Sequence, residues 1–202
     1  MVTRELDSIV NEIVSGIVIS RIEHKEDTYK RIEGTRNVLT LRSITCGMID
    51  GEEVQKINLS KTVSSDKLTT YGDIVLKLNK PFDSVYIERE YENYLIPSFC
   101  CKISGLNLKE VDPYYLVGYL NTPFTKEYLI TANGASASSL LKIKDIKKLP
   151  IPLPNIKEQR AIGEVFRVCC ERQVLMKKMI NHEMKMAENI IMETAREVFG
   201  NE

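Results

Sequence analysis

The stretch LPIPLPNIKEQRAIGEVF, residues 149–166, decides how the chain is organised. Its three prolines alternate with apolar residues, and proline fixes φ and lacks an N–H, so an extended edge or polyproline-like segment is predicted. Asn155 then occupies the position of a helix N-cap, and Glu158, three residues later, completes a capping-box pattern. The sequence therefore predicts a long helix that begins directly after Asn155.

The predicted helix carries a line of mostly apolar residues along one side. The line takes ten steps between residues 162 and 198, which is the period of a straight α-helix. At about 1.5 Å per residue, some 42 residues form a rod of roughly 63 Å, longer than a compact domain of this size. We therefore expect the line to pair with a helix of a second copy or of another chain, with Gln173 fixing the register. A helix folded back on its own domain is the alternative. The predicted dimerisation residues are Ile162, Phe166, Cys169, Gln173, Met176, Ile180, Met184, Ala187, Ile191, Ala195 and Val198.

The composition limits the classes of function. With 43% hydrophobic residues, the 202-residue chain can build one substantial core and an appendage. Lys+Arg and Asp+Glu both number 28, which counts against tight DNA binding by the chain alone but allows a local basic face. Five cysteines without CxxC spacing indicate free thiols in a reducing cytoplasm, and two isolated histidines argue against a metal site. No apolar run approaches membrane-spanning length, so we predict a cytoplasmic protein without a membrane partner.

The sequence that precedes the proline run predicts an α+β domain. Short strands in close series favour a curled antiparallel sheet, and the change to helical spacing near residue 113 favours two short helices after it. The predicted elements are a turn feeding a strand over 4–20, a charged surface loop or irregular hairpin over 21–36, a hairpin with strands over 38–45 and 54–57, several short strands over 71–104, two helices over 112–131 with Thr122 as an N-cap, and a short turn over 142–146.

The junction LPIPLPNIKEQRAI resembles the one in specificity subunits of type I restriction-modification systems. There a target-recognition domain ends in a Leu-Pro-Ile-Pro-Leu-Pro run, followed by a Glu-Gln pair and a long spacer helix. Further matches in the family's order are LTLRSITCGMIDG, LTTYGDIVLKLN, DPYYLVGYLNTPF and NGASASSLLKIKDIKKLPIPLP, so the resemblance covers essentially the whole chain. Familiar members carry two recognition domains and two spacer helices, whereas this chain has one of each. The resemblance implies a half-length form, with a target-recognition domain over 1–154 and a spacer and dimerisation helix over 155–202.

The resemblance also implies a non-catalytic function in sequence-specific recognition of double-stranded DNA. One domain would read a half-site, and the helices of a homodimer would pair antiparallel, so that the dimer recognises a symmetric bipartite site with an unread spacer. A modification methyltransferase subunit would dock on the assembly and supply much of its positive surface. Whether a restriction nuclease subunit also joins stays open, and no cofactor is expected in this chain.

Candidate DNA contacts lie in a loop of small residues, in the lysines that follow it and at predicted strand ends. Backbone N–H groups and Ser hydroxyls contact phosphates, Lys supplies charge, and Arg, Lys and Asn read base edges. A surface loop and an ordinary solvated face are the alternatives. The candidates are Arg36, Arg42, Ser43, Thr45, Lys77, Asn79, Lys80, Ser136, Ser138, Ser139, Lys142 and Lys144.

No residues are predicted to be catalytic. DPYY at 112–115 and NTPF at 121–124 are near matches to the base-holding motif of adenine methyltransferases, but both lack its second proline. The chain also lacks the glycine-rich turn that binds a methyl donor. Helix caps and core tyrosines are the favoured interpretation. Besides the DNA-recognition hypothesis, a protein-interaction adaptor without DNA contact and a methyltransferase stay open.

Overall fold

A computed structural model of the chain describes residues 2–25, 31–132 and 140–199, with side chains to residue 196. Within these ranges the strands are β1 (Val2–Glu5), β2 (Glu12–Ser15), β3 (Gly34–Val38), β4 (Gln55–Leu59), β5 (Ile74–Lys77), β6 (Ser84–Tyr86), β7 (Cys100–Ser104) and β8 (Pro150–Leu153). The α-helices are α1 (Pro113–Leu120), α2 (Pro123–Ala132), α3 (Ile143–Lys147) and α4 (Ile156–Phe199). Short 3₁₀ turns span Leu6–Ser8, Ile19–Arg21, Gly51–Glu53, Ser65–Lys67 and Arg89–Tyr91.

The strands pair antiparallel and form three small sheets. The central sheet has the order β2-β7-β5-β6, and two further sheets pair β1 with β8 and β3 with β4. The predicted α+β class, with an antiparallel domain followed by a long C-terminal helix, is confirmed. The division of the strands among three sheets was not predicted.

The central sheet is covered on both faces. Ile74 and Leu76 of β5 belong to a core cluster that includes residues of α1, α2 and α3, whereas Val75 between them belongs to a second cluster. Successive side chains of a strand lie on opposite faces, so β5 separates the two clusters. All of β5 is buried, which explains why its first three residues are apolar without alternation.

The two predicted helices after the sheet begin at side-chain caps. Asp112 Oδ1 accepts a hydrogen bond from Tyr115 N at 2.9 Å at the start of α1. Thr122 Oγ1 accepts one from Thr125 N at 3.3 Å at the start of α2, and Pro123 takes the first helical position. These caps satisfy N–H groups that have no partner within the first turn. The prediction of both helices is confirmed.

The predicted strand over 38–45 is wrong, although the hairpin exists. The hairpin pairs β3 with β4, and the chain leaves β3 after Val38. Thr40 N donates to Ser43 Oγ at 2.8 Å, and Ser43 N donates to Thr40 Oγ1 at 3.0 Å. Because these side chains bond the local backbone, they close a turn in place of a continued strand.

The proline run forms β8, paired with β1, as an extended edge. The carbonyl groups of two prolines accept hydrogen bonds from α1, since Tyr115 Oη donates to Pro152 O at 2.6 Å and Tyr119 Oη donates to Pro150 O at 2.9 Å. The tyrosines therefore hold the run against the domain, directly before α4.

Candidate nucleic-acid interface

Helix α4 begins at the predicted cap. Asn155 Oδ1 accepts hydrogen bonds from Lys157 N at 3.1 Å and from Glu158 N at 3.0 Å. This confirms the predicted start of the helix, whose first residue is Ile156.

Gln159 joins the first turn of α4 to the loop before α1. Its Nε2 donates to Glu110 O at 3.0 Å and to Pro154 O at 2.9 Å, and its Oε1 accepts from Asp112 N at 3.1 Å. The side chain is 1% exposed, so these bonds lie away from water. Buried polar groups are stable only when they are paired, and here the amide is paired at both ends. In the sequence, Gln159 stands out only as part of a family pattern.

Phe166, two turns after Gln159 on α4, packs against two glycines of the domain. Phe166 packs on the main core cluster, and its ring lies where side chains of Gly47 and Gly118 would be. A Cβ on Gly47 would come within 2.8 Å of the ring, and one on Gly118 within 3.1 Å. Gly47 also has a φ of +88°, a conformation that favours glycine. The predicted dimerisation residue Phe166 is therefore used to dock the helix on its own domain.

An ion pair lies at the end of the part of α4 that packs on the domain. Lys177 Nζ lies 2.7 Å from Asp50 Oδ2, and the hydrogen bond from Lys177 lowers the pKa of Asp50. From Lys178 to Thr194 every residue is exposed. The first half of the helix thus packs on the domain. The second half extends beyond the domain, with a helical rise of about 1.5 Å per residue.

Most of the predicted dimerisation line is accessible. Gln173, however, lines a groove with Thr45 and Cys46, which places it at the border with the domain. Ala195 is half-buried, and the side chain of Val198 lies outside the described residues. The exposed members are Ile162, Cys169, Gln173, Met176, Ile180, Met184, Ala187 and Ile191. A further exposed apolar set at helical spacing was not predicted from the sequence: Val165, Val168, Leu175, Met179, Met186 and Ile190.

The segment before α3 is tied to the turn after β5. Leu141 N donates to Leu78 O at 2.7 Å, which places the two segments side by side. The turn carries Asn79 and the exposed Lys80, and Lys142 is exposed directly after Leu141. Candidates that lie more than sixty residues apart in sequence therefore meet at one edge of the central sheet.

Arg42 is connected to this end of the sheet through Phe99. Leu78 N donates to Phe99 O at 2.8 Å, and Phe99 lines a groove together with Leu41 and Arg42. Arg42 and Lys144 are exposed. The edge is called the strand-end surface below and consists of Arg42, Asn79, Lys80, Lys142 and Lys144.

Other predicted DNA contacts are placed elsewhere. Lys77 is 4% exposed, and its Nζ lies 3.1 Å from Asp83 Oδ2, so it cannot reach DNA without breaking a buried ion pair. Ser43 is buried in its turn, and Thr45 Oγ1 donates to Met48 O at 2.7 Å beside α4. Arg36 is exposed on β3. The candidates that lie outside the described residues are Ser136, Ser138 and Ser139.

The motifs that resemble a methyltransferase motif have structural roles. In DPYY, Asp112 caps α1 and Tyr115 binds Pro152 O. In NTPF, Asn121 Oδ1 accepts from Ser84 N at 3.0 Å, and its Nδ2 donates to Ser84 O at 2.9 Å and to Val117 O at 2.9 Å. With its amide engaged in the protein, Asn121 has no free group for a base.

The thiols of the central sheet are poorly suited to nucleophilic chemistry. Burial raises the pKa of Cys101 to about 12, and it also raises the pKa of Cys100. A thiol is a nucleophile as its thiolate, which burial disfavours. In residues 2–25, 31–132 and 140–196 the structure holds no group of three His, Cys, Asp or Glu side chains placed for a metal ion. Nor does any described helix combine the length and apolar character that crossing a membrane requires.

Comparison with known proteins identifies the family. The family model for the type I restriction modification DNA specificity domain matches residues 26–185. The type I restriction enzyme EcoBI specificity subunit of Escherichia coli is 25% identical over 131 residues, which are 65% of this chain and 27% of that protein.

Three solved structures share the fold. The HsdS subunit from Thermoanaerobacter tengcongensis has a TM-score of 0.62 at 16% identity over 88% of this chain and 44% of its own. A chain from a structure on complex assembly and conformational transition of the type I R-M system has a TM-score of 0.62 at 15% identity, with shares of 96% and 48%. The type I restriction-modification S subunit from M. genitalium has a TM-score of 0.56 at 19% identity, with shares of 91% and 42%.

The chain therefore spans about a quarter of the curated relative and less than half of these solved chains. The family match, in contrast, extends over most of this chain, from residue 26 into the projecting half of α4. The chain belongs to the type I restriction-modification DNA specificity family.

Proposed function

We propose that the chain reads one half of a bipartite DNA site and has no catalytic role of its own. Residues 1–154 would form the target-recognition domain, and residues 155–202 the spacer and dimerisation helix. The single observation that carries the DNA-reading part is the strand-end surface, where exposed basic side chains from three separate segments lie near the half-buried Asn79, whose Oδ1 is buried. Its side chains match those that position phosphates and read base edges in the major groove.

The charge distribution supports a reading surface of limited affinity. The chain carries no net charge, so nothing attracts DNA to it as a whole. Acidic residues are moreover placed beside some of its lysines, since Asp83 pairs with both Lys77 and Lys126. We propose that a modification methyltransferase subunit binds the same assembly in the cytoplasm and supplies further positive surface, and that a restriction nuclease subunit is a further potential partner.

The exposed apolar residues of α4 support dimerisation. More than ten large apolar side chains of this helix are at least 47% exposed, among them Val165, Met179 and Ile190. Apolar surface of this extent on a soluble helix favours burial against a partner. We propose that the partner is α4 of a second copy, paired antiparallel, which would place one recognition domain on each half of the DNA site.

The salt dependence of DNA binding tests the assignment of the strand-end surface. The variant Lys80→Ala/Lys142→Ala is compared with the matched control Lys109→Ala/Lys185→Ala, which removes exposed lysines after the far end of β7 and on α4. Binding to a mixed-sequence DNA duplex is followed by fluorescence anisotropy between about 50 and 200 mM salt.

The strand-end variant is expected to bind more weakly and to lower the slope of log K against log salt by roughly 0.9 per lost phosphate contact. The control is expected to keep the slope of the unaltered chain. Equal slopes in the two variants would contradict the assignment of the surface. A chain that binds no DNA at any of these salt concentrations would favour the adaptor hypothesis.

A further inference from the structure

The outward side of α4 carries a set of residues with internal symmetry. Phe166 and Cys170 turn one side of the helix toward the domain, and the opposite side is exposed along its length. We call the following exposed residues of that side the outward seam: Val165, Val168, Cys169, Arg172, Leu175, Met176, Met179, Ile180, Glu183, Met186, Ala187 and Ile190. Ten of these residues are apolar, and Arg172 and Glu183 are charged.

The two charges of the outward seam are isolated on their own helix. On a helix surface, residues three and four positions apart are neighbours. For Arg172 these neighbours are Val168, Cys169, Leu175 and Met176. For Glu183 they are likewise apolar: Met179, Ile180, Met186 and Ala187. Among the described side chains, the ion pairs of the structure include neither residue. No described side chain of the same chain therefore supplies an opposite charge to either residue.

Building on the proposed dimer, we infer that two copies of α4 pair in one register, with Arg172 beside Glu183 of the partner subunit and Met176 beside Met179 of the partner subunit. A two-fold interface must be self-complementary, and this register meets that condition at every position of the outward seam. The remaining opposed positions are Val165 with Ile190, Val168 with Ala187, Cys169 with Met186, and Leu175 with Ile180. Each is an apolar pair.

Registers shifted by one helical turn lose this match. A shift in one direction places Arg172 against Met179 and Glu183 against Val168, and a shift in the other places them against Met186 and Leu175. Either shift would bury two unpaired charges per helix in apolar surroundings, which is costly. The charged pair thus acts as the polar element that selects one register of a helical pair.

The start of α4 offers a place for the end of the partner helix. A groove there is lined by Val2, Leu153, Pro154, Asn155, Glu158, Ala161 and Ile162, and the last two lie one helical turn before Val165 of the outward seam. In the inferred register Ala161 lies opposite Thr194 of the partner subunit. The turn of the partner helix around Thr194 would therefore cover this groove.

The register also sets the distance between the two recognition domains. Phe166, which docks α4 on its domain, lies opposite Asn189 of the partner subunit. The two docking points are thus 23 residues apart along the helical pair. At about 1.5 Å per residue this is roughly 35 Å, close to one turn of B-DNA at about 34 Å. The half-sites are accordingly expected to lie about one DNA turn apart.

Exchange of the two charges tests the register. The variants Arg172→Glu and Glu183→Arg each place like charges together at the dimer interface, and the double variant restores opposite charges. The dissociation constant of the full chain is measured by sedimentation equilibrium, with helix content checked by circular dichroism. Each single variant is expected to dimerise at least about tenfold more weakly, and the double variant to return to within about threefold of the unaltered chain. Lys185→Glu, on an exposed position outside the outward seam, is expected to leave the constant unchanged.

Two outcomes separate the failure of the register from the failure of the dimer. A dimer that withstands the single exchanges, or that the double exchange does not restore, would overturn the register and leave the proposed dimer standing. An unaltered chain that sediments as a monomer up to concentrations on the order of 100 μM would overturn both the dimer and the register, since a specific helical pair of this size should associate well below that range.

Discussion

Replacement of Gln159 by leucine removes the polar contacts that join α4 to the domain while keeping most of the side-chain volume. In the structure the amide makes three hydrogen bonds to the backbone, with Glu110 O, Pro154 O and Asp112 N, at 2.9–3.1 Å. The side chain is 1% exposed, so water cannot replace these partners without a local opening. The substitution is therefore expected to leave three backbone groups unpaired.

The expected loss of stability follows from those three groups. A neutral hydrogen bond contributes a net stabilisation of about 1 kcal/mol, and a buried group left without a partner costs about 1–3 kcal/mol. Burial of the apolar leucine side chain next to the core is expected to offset part of this loss of stability. We expect the free energy of unfolding to fall by about 3 kcal/mol, within a range of about 2–5 kcal/mol.

Urea unfolding measures the effect. The chain has nine Tyr and no Trp, so the transition is followed by far-ultraviolet circular dichroism and tyrosine fluorescence. Protein concentration is held constant because dimerisation would shift the apparent stability. Lys185→Leu is the control, since it places a leucine at an exposed position of the same helix, outside the predicted dimerisation line and the outward seam. The control is expected to lose no more than about 0.5 kcal/mol.

A loss below about 1 kcal/mol for Gln159→Leu, with an unchanged denaturant slope, would refute the reasoning. It would mean that the helix is held by packing at Phe166 and that the buried amide contributes little. A loss of the same size in Lys185→Leu would instead attribute the effect to the helix as a whole.

Two further predictions concern the same docked half of α4. Gly163→Ala would bring a Cβ to 2.2 Å from Asp112 Oδ1 and 2.7 Å from Tyr115 N, so thermal unfolding should show a loss of about 1–3 kcal/mol; Gly51→Ala, whose Cβ meets Tyr91 Oη at 3.6 Å, should change stability little. Asp50→Asn removes the ion pair with Lys177, which is 62% exposed, so the loss near pH 7 should not exceed about 1 kcal/mol. Because the contact lowers the pKa of Asp50 in the folded chain, this difference should be present above the unfolded pKa of about 3.9 and disappear as pH falls through the folded pKa; a difference that persists at about pH 2 would contradict the assignment.

Elements with local signals were predictable from the sequence. The start of α4 depends on Asn155 and the N–H groups two and three residues later, and α1 and α2 depend in the same way on Asp112 and Thr122. A cap bonds groups within one turn, so its pattern is visible in a few consecutive residues. The strand predicted over 38–45 failed for a related reason, since alternating apolar residues are compatible with a strand but Thr40 and Ser43 bond each other's backbone.

Whether a candidate side chain is accessible to DNA depends on its burial, which the residue type alone does not reveal. Lys77 and Lys80 are three residues apart, yet Asp83 holds the first in the interior and the second is exposed. Leu141 joins Lys142 to the same edge through a hydrogen bond to Leu78, across more than sixty residues of sequence. Contacts between such distant segments arise from tertiary packing and leave no periodic signal in either segment.

The long helix shows the limit of sequence reasoning most clearly. Its start, its length and its need for apolar contacts follow from the proline run, the cap and the helical period of its residues. Apolar residues occupy more than one side of it, however, because Phe166 and Cys170 accompany Val165 and Val168. Periodicity places residues relative to one another around the axis, but it does not say which side meets the domain. That choice follows from Gly47 and Gly118, whose missing side chains make room for Phe166 and leave the opposite side of the helix exposed.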